Sequence, residues 1–541
     1  MIGIGPLYTV LAASCLLALA KDTTNWNNVT GTSSETFPTD VGNLGTMAPG
    51  RAPFKAQFDK LNSTQANGPY GIEMRYLPKF GKKQNASASD VHGNFGPYTP
   101  WRPSNLFPET AAYKKVPDQC EIKQVHILHR HGARYPTDGL DDGPGLLGAM
   151  VMNTTRNNTF KATGDLEFMN HWNYSLGQAI LVHQGAQELF DSGVKAYYSY
   201  AKLLENTTHK PVIRTTSGSR MLDSARYWAL GFFGWDATSK VNIEVLTEAE
   251  KQNNTLEPKY SCPNSKEFKF GDRLRKDWQK YYLQKPLDRI QQNIDGINLT
   301  IKDMENFISV CPYEVSGQGY SDFCSLFTKD EWENFEYEQD LKFQGNNGFM
   351  SPVGKAMGIG YVNEFLERVT KGSFKAPQTT QNSTLNKNTT YFPLHQPLYA
   401  DFSHDTVMTN ILTAFNFTQF NQSLTAIHAV KDRRFRASDV VPFAARVVFE
   451  IMECSGDDDS HNSTAFIRVK INEAILPLNE GQGCKPRPDG LCKLEDFVEY
   501  TKKHANEAAN FELACYGKNG TDFTVTGPVA HGTIDASHIH K

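Results

Sequence analysis

Short apolar runs that end in polar turns and open into helical stripes recur three times along the chain. Lys123-Gln124-Val125-His126-Ile127-Leu128 reads as a strand leading into Arg130-His131-Gly132. Pro211-Val212-Ile213 runs into Arg214-Thr215-Thr216-Ser217-Gly218-Ser219, after which Met221, Leu222, Ala225, Trp228 and Ala229 share one helix face. Pro397-Leu398-Tyr399-Ala400 leads into Asp401-Phe402-Ser403-His404-Asp405, and Val407, Met408, Ile411, Leu412 and Phe415 form the next buried stripe. Strand, polar turn and helix make the unit of an α/β fold, whose ligands bind beyond the carboxyl ends of the strands. Residues 145–205 and 255–375 carry the longer helical period, as in Trp332 with Phe335 and in Val353 running to Phe365-Leu366. They predict helical insertions forming a cap over one side of a mixed sheet.

The ends of the chain lack either period. Residues 1–20 are apolar, uncharged and end in Ala18-Leu19-Ala20, the pattern of a signal peptide with an A-x-A cleavage site. Residues 21–93, rich in Asn, Thr, Ser, Gly and Pro, read as an irregular arm, and 527–541 as a flexible tail. His531, His538 and His540 belong to that frayed end and not to a metal site. The catalytic region is expected over 94–526.

Cysteines and sequons place this chain outside the cell. Cys15 lies in the expected signal; the other eight are Cys120, Cys262, Cys311, Cys324, Cys454, Cys484, Cys492 and Cys515. An even number without CxxC pairs reads as disulfides, of which eight cysteines allow 105 connectivities. N-x-S/T sequons are dense, among them Asn153, Asn157, Asn173, Asn206, Asn298, Asn388, Asn416 and Asn421, and predict N-linked glycans. After signal removal no membrane association is expected, and the protein is secreted, free or held in a cell wall. A net charge of −4 and a pI of about 6.4 give no global field for nucleic acid or anionic lipid. Positive charge that matters must be local.

It is concentrated in Arg130-His131-Gly132-Ala133-Arg134-Tyr135-Pro136. Two guanidiniums four residues apart match phosphate oxygens bidentately, and Gly132 allows close backbone approach. A neutral imidazole between them can attack phosphorus and divide hydrolysis into two easier steps through a phosphoramidate. Such a nucleophile needs an acid to protonate the leaving oxygen. Asp405 supplies it, with His404 as a phosphate ligand. His126, His129 and His131 do not make a metal site, because His126 points away from the other two on a strand. No cofactor is implied.

These motifs resemble the histidine acid phosphatases, and within them the fungal secreted phosphatases and phytases. The family signature R-H-G-x-R-x-P stands as Arg130 to Pro136, and its downstream H-D as His404-Asp405. Val212 to Arg220 looks like the segment carrying the family's third phosphate-binding arginine, a role that falls on Arg214. Asn94 to Pro100 also resembles the fungal approach to the first strand. The resemblance implies a phosphoglycerate-mutase-like α/β domain with a helical cap and metal-free catalysis. His131 would be the nucleophile and Asp405 the acid, with Arg130, Arg134, Arg214 and His404 around phosphate. It also implies the pairings Cys120–Cys454, Cys262–Cys515, Cys311–Cys324 and Cys484–Cys492.

One departure bears on substrate. Phytases of this family often carry lysines just after the signature; here Asp138-Gly139-Leu140-Asp141-Asp142 stands there, and carboxylates repel a highly charged ligand. That favours a broad acid phosphatase for small phosphomonoesters over a dedicated phytase acting on inositol hexakisphosphate. Three rivals remain. A phosphoglycerate-mutase-like phosphotransferase has no use for eight cysteines and the sequons. A silent phosphate-binding glycoprotein has no need of both His131 and Asp405. A metallophosphatase lacks its carboxylate-rich ligand set.

Overall fold

Strand β1 (Cys120–Arg130) is polar at its start and buried over its last seven residues, and the sheet grows on both of its edges. The computed structural model describes residues 89–139, 143–250, 252–372, 379–455, 463–508 and 510–517. The expected signal peptide, most of the expected arm and the tail lie outside them. The other strands of the main sheet are β2 (Val212–Thr216), β3 (Asn242–Leu246), β4 (Leu398–Ser403), β5 (Arg446–Cys454), β6 (Thr464–Ile471), β7 (Ala474–Ile475) and β8 (Cys492–Lys493). Their order is β8-β6-β5-β1-β4-β2-β3, with β7 on β6. β1, β4, β2 and β3 run parallel, whereas β5, β6 and β8 add antiparallel neighbours, so the sheet is mixed as expected.

Alternation along β1 decides what packs where. Val125 and Ile127 face helices α2 (His183–Tyr200) and α3 (Ser219–Phe233), in a core with Leu189, Trp228 and Phe402. Leu128 faces the other way. There α7 (Gly354–Thr370), α8 (Asp405–Ala414) and α9 (Leu494–Ala508) pack through Phe365, Ile411 and Phe497. A third core, built mainly of helices, joins α1 (Gly143–Arg156), α4 (Phe270–Tyr282), α5 (Ile301–Gln318) and α6 (Lys329–Asn346) through Leu147, Trp278, Phe307 and Trp332. The expected cap ranges therefore divide differently. α2 and α7 lie against the sheet, because their apolar stripes are complementary to its two faces, a match that helical period alone does not reveal.

All four disulfides join the cysteines the resemblance implied. Cys120–Cys454 clamps the first β1–β5 pair. His126 and His129 point to opposite faces: His126 stacks on Tyr399, and His129 bonds Ser192 Oγ at 2.8 Å.

Helices α2 and α3 cross at glycines. A Cβ on Gly193 would stand 2.1 Å from the Trp228 carbonyl oxygen, and one on Gly231 equally close to that of Phe190. Gly193→Ala should therefore force the pair apart and cost about 1–3 kcal/mol, the usual range for overpacking, read as a lowered midpoint in denaturant unfolding.

Candidate active site

The carboxyl ends of β1, β4, β2 and β3 lie at one edge of the sheet, where the polar turns meet. Parallel register sets Arg130 beside Ser403, so the residues that follow, His131 and His404, emerge together with ring centroids 5.7 Å apart. The turn after β1 is held tightly. His131 N–H donates to Ser403 O at 3.2 Å, Gly132 N–H to Ser224 Oγ at 3.2 Å, Ala133 N–H to Glu188 Oε2 at 2.9 Å, and Tyr135 N–H to Ile180 O at 3.0 Å. Gly132 is required here, because a Cβ would sit 2.3 Å from Gly185 O. With these donors spent, the turn's grip on an anion rests on side chains.

The His131 ring is buried, and its Nδ1 lies 2.8 Å from Gly132 O. A carbonyl only accepts, so Nδ1 carries the proton and Nε2 the lone pair. Burial, then the charges of Arg130, Arg220 and Arg134, push its pKa well below the ordinary histidine value. The neutral form of His131 is thereby favoured.

Arg130 donates to Pro97 O and, at 2.7 Å, to Val441 O; its other terminal nitrogen lies 2.6 Å from Asp405 Oδ2. Burial lowers its pKa to about 10, which leaves it cationic in acid and at neutrality. Arg134 donates to Tyr135 O at 2.8 Å. The Nε atoms of Arg130, Arg134 and Arg220 are buried without a hydrogen-bond partner, as donors awaiting an anion would be. Asp405 begins α8, its Oδ1 taking the Thr406 N–H at 2.7 Å. Burial raises its pKa, but Arg130, Arg134 and His404 outweigh that and hold it below the ordinary value.

His404 Nε2 lies 3.1 Å from both Glu248 Oε1 and Glu257 Oε2. Burial pushes Glu248 up, yet the hydrogen bond and charge of His404, with Thr216 and Arg220, bring it down to about 2. The three ligand atoms of this group lie within 4.8 Å of one another, a closeness that the two 3.1 Å contacts of His404 account for. Neither glutamate belongs to a motif, and the sequence reading missed both. Arg134 and Asp405 line a cleft of about 480 Å³, to which Arg275 of α4, Lys302 and Glu305 of α5, and Lys342 of α6 also contribute.

A sequence model of the histidine phosphatase superfamily (branch 2) matches residues 121–472. The chain belongs to that family. Phytase A of Aspergillus oryzae is 32% identical over 433 residues, which cover 76% of this chain and 88% of the relative. Among solved structures, the phytase from D. castellii superposes with a TM-score of 0.66 at 21% identity, covering 88% of this chain and 100% of that one. The Bifidobacterium longum multiple inositol polyphosphate phosphatase, in complex with inositol hexasulfate, superposes with a TM-score of 0.53 at 14% identity, covering 74% and 96%. This histidine phosphatase is thus a phosphomonoester hydrolase of the acid phosphatase and phytase group.

The structure brings His131, Arg130, Arg134, His404 and Asp405 together, but not Arg214. Its Nε is 2.7 Å from Asp401 Oδ1 and a terminal nitrogen 2.9 Å from Glu364 Oε2; Arg368 binds the same aspartate at 2.6 Å. Asp401 and Glu364 outweigh burial and raise its pKa well above the ordinary value. Arg214 and Asp401 sit inside strands, buried, where only a paired charge is tolerated. The expectation for Arg214 is therefore corrected: its guanidinium belongs to a buried ion-pair network. Arg220, in the first turn of α3, stands in its place, near enough to act on His131, Arg134 and Asp405. Its position at a helix start after a strand and Gly218-Ser219 was the available signal.

Paired variants separate these roles. Arg220→Ala should lower turnover roughly 10²–10³-fold with an unchanged melting temperature. Asp401→Asn should cost roughly 3–5 kcal/mol of stability by uncovering Arg214 and Arg368. Thermal melts beside steady-state rates check both.

Proposed function

We propose that hydrolysis proceeds through a phosphohistidine on His131, with Asp405 as proton donor and Arg130, Arg134, Arg220 and His404 around the phosphoryl group. The observation that carries this reading is a neutral imidazole whose Nδ1–H is taken by Gly132 O, leaving its Nε2 lone pair among three guanidiniums. Nε2 attacks phosphorus, the P–N bond forms, and the ester P–O bond breaks as Asp405 gives its proton to the departing oxygen. The Asp405 carboxylate then takes a proton from the water that attacks the phosphohistidine. The P–N bond breaks, and inorganic phosphate leaves with His131 restored.

Asp405 is held ionised in the free site by Arg130. A bound phosphate dianion engages that guanidinium and repels the carboxylate, which raises the pKa of Asp405 and permits protonation in acid. The acid must be protonated in the complex, so kcat should fall as pH rises through that raised value. Asp405→Asn should lower turnover of alkyl phosphates by about 10²–10⁴-fold and of p-nitrophenyl phosphate far less, because nitrophenolate leaves without a proton. Equal losses for both esters would mean that Asp405 is only structural.

For the substrate we infer an inositol polyphosphate. Asp138, from the acidic run that argued for small esters, does line the cleft, whereas residues 140–142 lie outside the described ones. Arg275, paired with Glu305, and Lys302 and Lys342 line the same cleft, cations that only the folded cap brings to the cleft of Arg134. They favour a ligand with phosphates beyond the one being cleaved, and the related Phytase A agrees with that chemistry. Rates on phytate and p-nitrophenyl phosphate, side by side in mild acid with EDTA, test this. The expected result is comparable or better turnover of phytate, and Lys342→Glu should raise its KM without changing that of the small ester. Activity on the small ester alone would restore the broad acid phosphatase.

We also propose that the protein is secreted and N-glycosylated, with its catalytic region at 94–526. Four disulfides support an oxidising compartment. Asn153, Asn157, Asn173, Asn206, Asn298, Asn388 and Asn421 are exposed. Asn416 is a poor acceptor, since its buried amide donates to Gly481 O and Tyr500 OH, each at 3.0 Å. Among the described residues no helix is long and apolar enough to cross a membrane.

A further inference from the structure

Glu188 is a buried carboxyl group on α2 to which the mechanism above gives no role. Its Oε2 accepts the Ala133 N–H at 2.9 Å, and its Oε1 accepts the Trp101 N–H at 3.1 Å. Gln184, one turn earlier, donates to Oε1 at 3.4 Å. The nitrogen of Ala133 and the carbonyl of Gly132 belong to one peptide unit. That same carbonyl accepts Nδ1–H of His131 at 2.8 Å. A continuous chain therefore runs from the Glu188 carboxyl group through one peptide to the imidazole.

The orientation of this peptide decides the tautomer of His131. With the carbonyl toward the ring, Nδ1 must be protonated and Nε2 is free to attack. Turned over, the peptide would present its N–H to Nδ1, which would then have to accept, moving the ring proton to Nε2 and blocking the lone pair. The residue before this peptide's nitrogen is Gly132, whose missing Cβ removes the usual steric opposition to such a turn. We propose that Glu188 is the positioning residue that locks peptide 132–133, and through it the nucleophilic tautomer of His131.

The neighbouring contacts fit this role. Val182 N–H donates to Ala133 O at 3.0 Å, and Ser224 Oγ accepts from Gly132 N–H at 3.2 Å, so the peptides on either side are fixed independently. Only peptide 132–133 rests on a side-chain carboxyl group. Burial raises Glu188 to about 7 against the pull of the Ala133 and Trp101 N–H groups. Below that pH one oxygen is protonated while the other still accepts, so the lock does not require a charge. When ionised, Glu188 also polarises the peptide and strengthens the carbonyl as an acceptor.

The test rests on the phosphohistidine reading only in its kinetic arm. Glu188→Met keeps the length and removes both acceptors. We expect kcat to fall at least about 10-fold, as for other residues that orient a catalytic imidazole, while the inhibition constant of inorganic phosphate stays within about 3-fold. Glu188→Gln, which retains one acceptor, should recover part of kcat. Ser192→Ala, on the same helix and bonded to His129, should lower stability but not kcat. In ¹⁵N-histidine spectra of the resting enzyme, His131 should show one tautomer, protonated at Nδ1, and a mixture or the opposite form in the variants. Unchanged kcat in Glu188→Met, or a loss confined to KM, would overturn the proposal. If that variant does not fold, the wild-type spectra decide: His131 protonated at Nε2, or a mixture of tautomers, in the resting enzyme overturns the proposal equally. A lost phosphohistidine with the tautomer shift intact would instead fault the chemical mechanism.

Discussion

The parallel pairing of β1 with β4 is the constraint on which the site depends. Register Arg130↔Ser403 makes the two strands end together, so that His131 of one turn and His404-Asp405 of the other meet without any long side chain having to reach. Everything around that pair protects it. β5 and the Cys120–Cys454 bond hold the outer edge of β1, while Asp401, two residues before the end of β4, is tied to Arg214 and Arg368 beneath the site. A strand register is either right or shifted by whole residues, so this placement is all-or-none.

Charge is distributed in two layers. In the lower layer Arg214, Arg368, Asp401 and Glu364 neutralise one another, out of reach of water. In the upper layer Arg130, Arg134 and Arg220 face Asp405, with Glu248 and Glu257 also acting on Arg220, and the Nε donors of all three arginines are unpaired. Burial first, and then these guanidiniums, suppress the basicity of His131. An imidazole kept neutral in acid is a usable nucleophile there, whereas an ordinary histidine would be protonated.

The helical cap supplies part of the cleft lining. Its core is separate from those of the sheet, and its contribution to the cleft is a set of long cations and carboxylates on α4, α5 and α6. Such a wall can be altered without disturbing the strand ends. Family membership therefore establishes the reaction more firmly than the ester hydrolysed.

Sequence alone determined the α/β class, the signature turn at 130–136, the His404-Asp405 pair and the oxidising cysteine framework. Each is written in contiguous residues or a local period. The role given to Arg214 and the extent of the cap depended on more. A charge inside an apolar strand needs a buried partner, but which one, Asp401 from β4 and Glu364 from α7, is settled by topology. Arg220 sat six residues further on, and only the turn into α3 swings it toward His131. Glu248, Glu257 and Glu188 were invisible for the same reason: a carboxylate acquires its role from the group it meets, and Ala133 lies 55 positions from Glu188 and His404 156 positions from Glu248. Local chemistry is encoded locally. The partners that orient it come from across the sheet, where tertiary packing alone brings distant segments into hydrogen-bond range.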